Sequence, residues 1–175
     1  PQGNSLSNVD FVDSLRGWAV GGTILRTTDG GTNWIPQSSR TTKYLYSVAF
    51  TDENNGIIVG HLGLILRTTN GGVTWTEQIS GTSNNLNNVI FSNINSCIAV
   101  GVNGTIIRST DGGTTWTPQF SGTTDNLNGV SFADANNGTA VGYNGKILRT
   151  ANGGTTWITQ LSGTTYELSS VTFSD

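Results

Sequence analysis

The sequence predicts an all-β chain, and within that class a β-propeller of four-stranded antiparallel blades. Three observations point there. A phrase ending in tryptophan recurs every 41 residues, at Trp34, Trp75, Trp116 and Trp157. Each repeat holds four short strand-like segments separated by turn residues, and no stretch shows the apolar period of a capped helix. Four-stranded antiparallel units repeating at about 40 residues are the pattern of propeller blades.

The first strand of each repeat carries Leu6, Val9, Phe11 and Asp13, then Leu45, Val48, Phe50 and Asp52, then Leu86, Val89, Phe91 and Asn93, then Leu127, Val130, Phe132 and Asp134. Val and Phe stand two apart, so both face one side of a strand. The second strand is the Ala19-Val20-Gly21 phrase, with Ile58-Val59-Gly60, Ala99-Val100-Gly101 and Ala140-Val141-Gly142 as its copies. A hairpin follows at Asn103-Gly104 and Asn144-Gly145, residues that tolerate positive φ. The first repeat is two residues shorter here, at Gly21-Gly22, and loops are where such length changes are absorbed. The third strand is Ile24-Leu25-Arg26-Thr27 and its copies, and the tryptophan opens the fourth.

These elements place the repeats at about 6–44, 45–85, 86–126 and 127–167, with a partial fifth at 168–175 that supplies only a first strand (Leu168, Val171, Phe173, Asp175). Pro1-Gln2 matches Pro36-Gln37 and Pro118-Gln119, so it reads as the end of a fourth strand. The segment is therefore expected to be part of a larger ring, through continuation into further blades or through self-association of two arcs.

The turn before each tryptophan is Thr27-Thr28-Asp29-Gly30-Gly31-Thr32-Asn33-Trp34, with Asn70, Asp111 and Asn152 in place of Asp29 in the later copies. Asp and Asn both accept backbone N–H bonds, commonly from two residues on, and both tolerate left-handed conformations. The paired glycines supply positive φ, and the tryptophan covers the turn. A structural role is expected for these residues. No metal is expected, because an amide in two of four copies weakens the anionic ligand set that calcium favours, and nothing calls for a cofactor.

Composition removes other classes. Lys and Arg total 8 against 11 Asp and Glu, a net charge of −3, so the basic excess that nucleic-acid binding needs is missing. No apolar run is long enough for a membrane-spanning helix. Cys97 is the sole cysteine, which excludes an internal disulfide framework.

Gly104-Thr105-Ile106-Ile107-Arg108-Ser109-Thr110-Asp111-Gly112-Gly113-Thr114-Thr115-Trp116 resembles the repeat of the photosystem II stability and assembly factor family, an Asp-box or bacterial neuraminidase repeat propeller, and all four copies share the likeness. The resemblance implies an extracytoplasmic scaffold (periplasmic, secreted, at the cell surface or in the thylakoid lumen) that binds proteins partly through an arginine patch. Arg26, Arg67, Arg108 and Arg149 match that patch. Guanidinium forks pair with carboxylates, so the expected partner is an acidic or carboxylate-bearing protein. The alternative role for these arginines is a bond to the neighbouring blade, for example to Asp52 or Asp134.

Similar repeats occur in sialidases, xyloglucanases and secreted proteins of other kinds. That leaves an architectural repeat array of a large surface protein, or a fragment of a carbohydrate-active enzyme, as other readings. Catalysis is not expected. Glycosidases need two carboxylates across a cleft, and the acids that break the repeat, Asp10, Glu53, Glu77, Asp125 and Glu167, show no recognisable spacing.

Overall fold

A computed structural model describes residues 5–173. Sixteen strands form four antiparallel sheets of four. Blade 1 comprises β1 (Leu6–Phe11), β2 (Gly17–Gly21), β3 (Ile24–Thr27) and β4 (Ile35–Gln37). Blade 2 comprises β5 (Leu45–Phe50), β6 (Gly56–Gly60), β7 (Ile65–Thr68) and β8 (Thr76–Glu77). Blade 3 comprises β9 (Leu86–Phe91), β10 (Cys97–Gly101), β11 (Ile106–Ser109) and β12 (Thr117–Gln119). Blade 4 comprises β13 (Leu127–Phe132), β14 (Gly138–Gly142), β15 (Ile147–Thr150) and β16 (Ile158–Gln160). Strand order within each sheet follows the chain, so every connection inside a blade is a hairpin.

The core lies between blades. The second strands are buried on both faces, which is why they read as continuous apolar runs such as Gly56-Ile57-Ile58-Val59-Gly60. Trp18, Val20 and Ile24 of blade 1 pack against Leu45, Val48, Ile58 and Trp75 of blade 2. The same seam repeats between blades 2 and 3 and between blades 3 and 4. The outer face of blade 1 has no such cover among the described residues, leaving Leu6 and Val9 about half exposed.

Polar side chains stitch the inner strands across the seams. The amide N–H of Val48 donates to Asn8 Oδ1 (3.0 Å), that of Val89 to Ser47 Oγ (3.2 Å) and that of Val130 to Asn88 Oδ1 (3.0 Å). These bonds satisfy donors on the one strand of each blade whose free edge faces the propeller axis. They also line a polar central cavity, into which Asp10 and Ser131 project as well.

The fifth copy, Leu168 to Phe173, is extended along β13 but is not paired into a sheet. Blade 4 holds it instead: Leu168 N–H donates to Gly142 O, Asn128 Nδ2 donates to Leu168 O, and Phe173 N–H donates to Ser131 Oγ. Pro1-Gln2 and Asp175 lie outside the described residues. Among the described residues no helix is long and apolar enough to cross a membrane.

Candidate functional site

The four Asp-box turns stand at one end of their blades, joined there to the loop between the first two strands. Gly30 N–H donates to Leu15 O, Gly71 to Asn54 O, Gly112 to Asn95 O and Gly153 to Asn136 O, all between 2.8 and 2.9 Å. Within the turn the hydroxyl of the last β3-type residue works in two directions. Thr27 Oγ1 donates to Asp29 Oδ1 (2.8 Å) and accepts from Gly31 N–H (2.9 Å). The acid or amide then caps donors three and four residues on rather than the two expected: Asp29 Oδ1 accepts from Asn33 N–H at 2.9 Å, and Asp111 Oδ1 from Thr114 and Thr115 N–H at 3.0 and 2.8 Å.

Aspartate and asparagine exchange here through one reversed hydrogen bond. Thr115 Oγ1 donates to Asp111 Oδ2 at 2.6 Å, whereas Asn70 Nδ2 donates to Thr74 Oγ1 and Asn152 Nδ2 to Thr156 Oγ1, both at 2.9 Å. The threonine hydroxyl serves either partner. At Asp111 desolvation pushes the carboxyl up, but the bonds from Thr115, Ser109 and Thr114 outweigh it and bring the group down to about 2. Asp29 is held below the ordinary range by Asn33 above all. The box carboxylates are thus occupied by their own turns.

Trp75, Trp116 and Trp157 are buried, each packed over the preceding blade. Trp116 and Trp157 donate their indole N–H to Gly113 O (3.1 Å) and Gly154 O (3.0 Å). Trp34 departs from the expectation of four equivalents: it is only half-buried, because it belongs to the uncovered face of blade 1.

The arginines project from the third strands toward the Asp-box of the next blade. Arg67 Nε donates to Gly112 O and Arg108 Nε to Gly153 O, each at 2.7 Å. The neighbouring-blade contact therefore exists, but its acceptor is a glycine carbonyl and not Asp52 or Asp134. Those two carboxylates cap their own loops, Asp52 Oδ1 accepting from Asn54 and Asn55 N–H and Asp134 Oδ1 from Asn136 and Asn137 N–H. Arg26 lies with its Cζ 5.4 Å from the centroid of Trp18, and its Nε is buried without a hydrogen-bond partner. Arg149 is exposed, with no following Asp-box in this chain. Among the described residues none of the four joins a salt bridge.

The non-repeating acids are scattered. Glu53 pairs with Arg16, Glu77 with Lys43 and Asp125 with Lys146. Glu167 accepts from Asn128, and Asp10 accepts from the Phe50 amide inside the central cavity. Burial pushes Asp10 up, against the bonds from Phe50 and Phe11. Sequence reasoning gave no role to Trp18, Gln37 or the seam residues Asn8, Ser47 and Asn88. For the last three a signal was present, a polar residue one place before the valine of the first strand in blades 1 to 3, where blade 4 has Gly129.

The model of the family described as photosynthesis system II assembly factor YCF48 matches residues 1–79, 36–117 and 75–157 of this chain. No curated protein matches the sequence. A solved structure of YCF48 bound to D1 peptide superposes with a TM-score of 0.78 at 23% identity, covering 99% of this chain and 58% of that one. YCF48 from Cyanidioschyzon merolae gives 0.73 at 21%, covering 97% and 60%. The GH74 xyloglucanase from Xanthomonas campestris gives 0.71 at 13%, covering 92% and 31%. The chain thus spans about three fifths of the two YCF48 structures.

Proposed function

Because this chain belongs to the family of the photosynthesis system II assembly factor YCF48, we propose that it is a non-enzymatic, extracytoplasmic propeller scaffold that takes a carboxylate-bearing protein segment at its Asp-box end. The observation that carries this reading is the row of arginines. Arg26, Arg67, Arg108 and Arg149 recur at one position of successive blades, and none is neutralised by a salt bridge among the described residues. The box aspartates Asp29 and Asp111 are engaged with their own turns. A carboxylate from outside is the group that such guanidinium donors lack.

A structural neighbour of the same family was solved with a D1 peptide bound, which supports a peptide or protein segment as the ligand class. The likeness to GH74 enzymes extends to the fold, which hosts many functions. The non-repeating acids Glu53, Glu77 and Asp125 each face a separate basic partner instead of one another across a cleft.

The test is fluorescence anisotropy with a labelled tetraglutamate peptide bearing a free C-terminal carboxylate. Saturable, salt-sensitive binding that is abolished when all four arginines become glutamine is expected. Equal affinity in the quadruple variant, with the fold intact by circular dichroism, contradicts the reading.

A further inference from the structure

We propose that the end of the molecule opposite the Asp-boxes is a lipid-binding face, on which Ile79, Phe120 and Leu161 enter the interfacial layer of a bilayer while the Asp-box end points away from it. This goes beyond the function proposed above and does not rest on it.

The three residues hold one position of successive blades, 41 residues apart, and are 89%, 87% and 100% exposed. Each lies just beyond an outer strand (β8, β12 or β16) whose other end is the Asp-box turn. Apolar residues scattered singly over a surface need no explanation. Here the same position is apolar in three blades running and bare in each.

The loop that follows holds this position rigidly. The hydroxyls of Ser80, Ser121 and Ser162 donate to the carbonyls of Thr82, Thr123 and Thr164 and accept the N–H of the same threonines. Between them Gly81, Gly122 and Gly163 stand at φ 76, 71 and 73. Each turn packs on the hairpin of its own blade, since a β-carbon on Gly63, Gly104 or Gly145 would collide with the carbonyl oxygen of Thr82, Thr123 or Thr164. Ser80 and Ser121 are buried, and strand alternation then aims the residue before them outward.

Blades repeat around one axis, so equivalent residues stand at one height along it. A flat surface therefore meets all three side chains at once. A protein partner would need three separate pockets spaced to match them, and a bilayer interface needs none. Leu62 and Tyr143 at the hairpin tips, and Tyr166, are exposed at the same end. Tyrosine has an apolar body and a polar tip that suit the headgroup layer.

The charges at this end cancel. Glu77 is paired with Lys43 and Asp125 with Lys146, each at 3.3 Å, and Arg40 offsets Glu167. The Asp-box end also exposes Leu15, Val73 and Ile94, but at unequal places in the repeat and on the end that carries Asp29 and Asp111. Those carboxyls are held below their ordinary range, and carrying charged groups out of water is costly.

The test is cosedimentation with vesicles of phosphatidylcholine, at low and at high salt. The unaltered chain is expected to bind, with no loss at high salt, because apolar burial drives the contact. Replacing Ile79, Phe120 and Leu161 together by serine, the residue that blade 1 carries at Ser38, is expected to weaken partition about tenfold or more. The melting temperature is expected to stay unchanged, since the three side chains are exposed. Val73→Ser combined with Ile94→Ser, at the opposite end, is expected to leave partition as it was.

Failure of the unaltered chain to bind, binding that high salt abolishes, or equal binding by the triple serine variant overturns the proposal. A dimer seen by light scattering that the triple variant loses, and that vesicles do not dissociate, also overturns it, because the row then joins two copies of the chain.

Discussion

The ring of Phe132 stands edge-on to Trp157, with 6.2 Å between centroids and 85° between planes, and it lies over the bare backbone of Gly138. A β-carbon on Gly138 would come within 2.7 Å of that ring. Phe11 with Trp34 and Phe50 with Trp75 repeat the edge contact, over Gly17 and Gly56. In blade 3 Cys97 fills the glycine position, and Phe91 packs at the side of the core that holds Trp116. Gly138→Ala is therefore expected to destabilise by about 1–3 kcal/mol through overpacking, whereas Cys97→Ala is expected to cost less than about 1.5 kcal/mol. Paired thermal melts check the contrast.

Leu62 sits at φ 55 in the hairpin where Asn103 and Asn144 adopt φ 56 and 54. A branched apolar residue is strained in this left-handed region, and asparagine is tolerated there. Leu62 is also half exposed, so its replacement removes little packing. Leu62→Asn is expected to raise stability by about 1 kcal/mol, read as a higher midpoint in urea. An unchanged or lower midpoint contradicts the strain assigned to this turn.

Trp116→Ala is expected to cost about 3–5 kcal/mol, since the indole is buried and bonded to Gly113 O. Trp34→Ala is expected to cost less, because Trp34 is half-buried and covers no preceding blade. Calorimetry of the two variants settles the order, and equal losses contradict the seam description.

Two groups give stability opposite pH dependences. Cys97 is raised from 9.0 to about 12, chiefly by burial. Its contribution is full below pH 9, where the thiol is neutral whether folded or unfolded, and is lost as pH rises from 9 toward 12. Asp111 is lowered to about 2, so its contribution is present above about pH 4 and is lost as pH falls from there toward 2. Asp111→Asn is expected to flatten the acid limb while retaining the fold, as Asn70 and Asn152 do in their blades. Urea midpoints measured across pH check both limbs, and in the folded state the Cys97 thiol is expected to resist thiol reagents.

Spacing in the sequence revealed the strands and turns because each repeat must bury the same apolar positions against its neighbour. The Val and Phe of each first strand, the Ala-Val-Gly phrase and the tryptophans all follow from that repetition. What stayed hidden is carried by backbone atoms or by single departures from the repeat. The acceptor of Arg67 and Arg108 is a glycine carbonyl, and a carbonyl belongs to every residue, so no side chain marks it. Trp18 was visible as a fifth tryptophan, yet its stack on Phe50 and its bond to Gly71 O depend on how two blades meet.

The most direct measurement is a spectrum of the arginine Nε–Hε groups by nuclear magnetic resonance while the tetraglutamate peptide is titrated in. The signals of Arg26, Arg67, Arg108 and Arg149 are expected to shift together and to saturate as the peptide binds, since none of the four is paired with a carboxylate among the described residues. Movement confined to residues of the central cavity such as Asn8 and Asn88, with all arginine signals still, would contradict a carboxylate site at the Asp-box end.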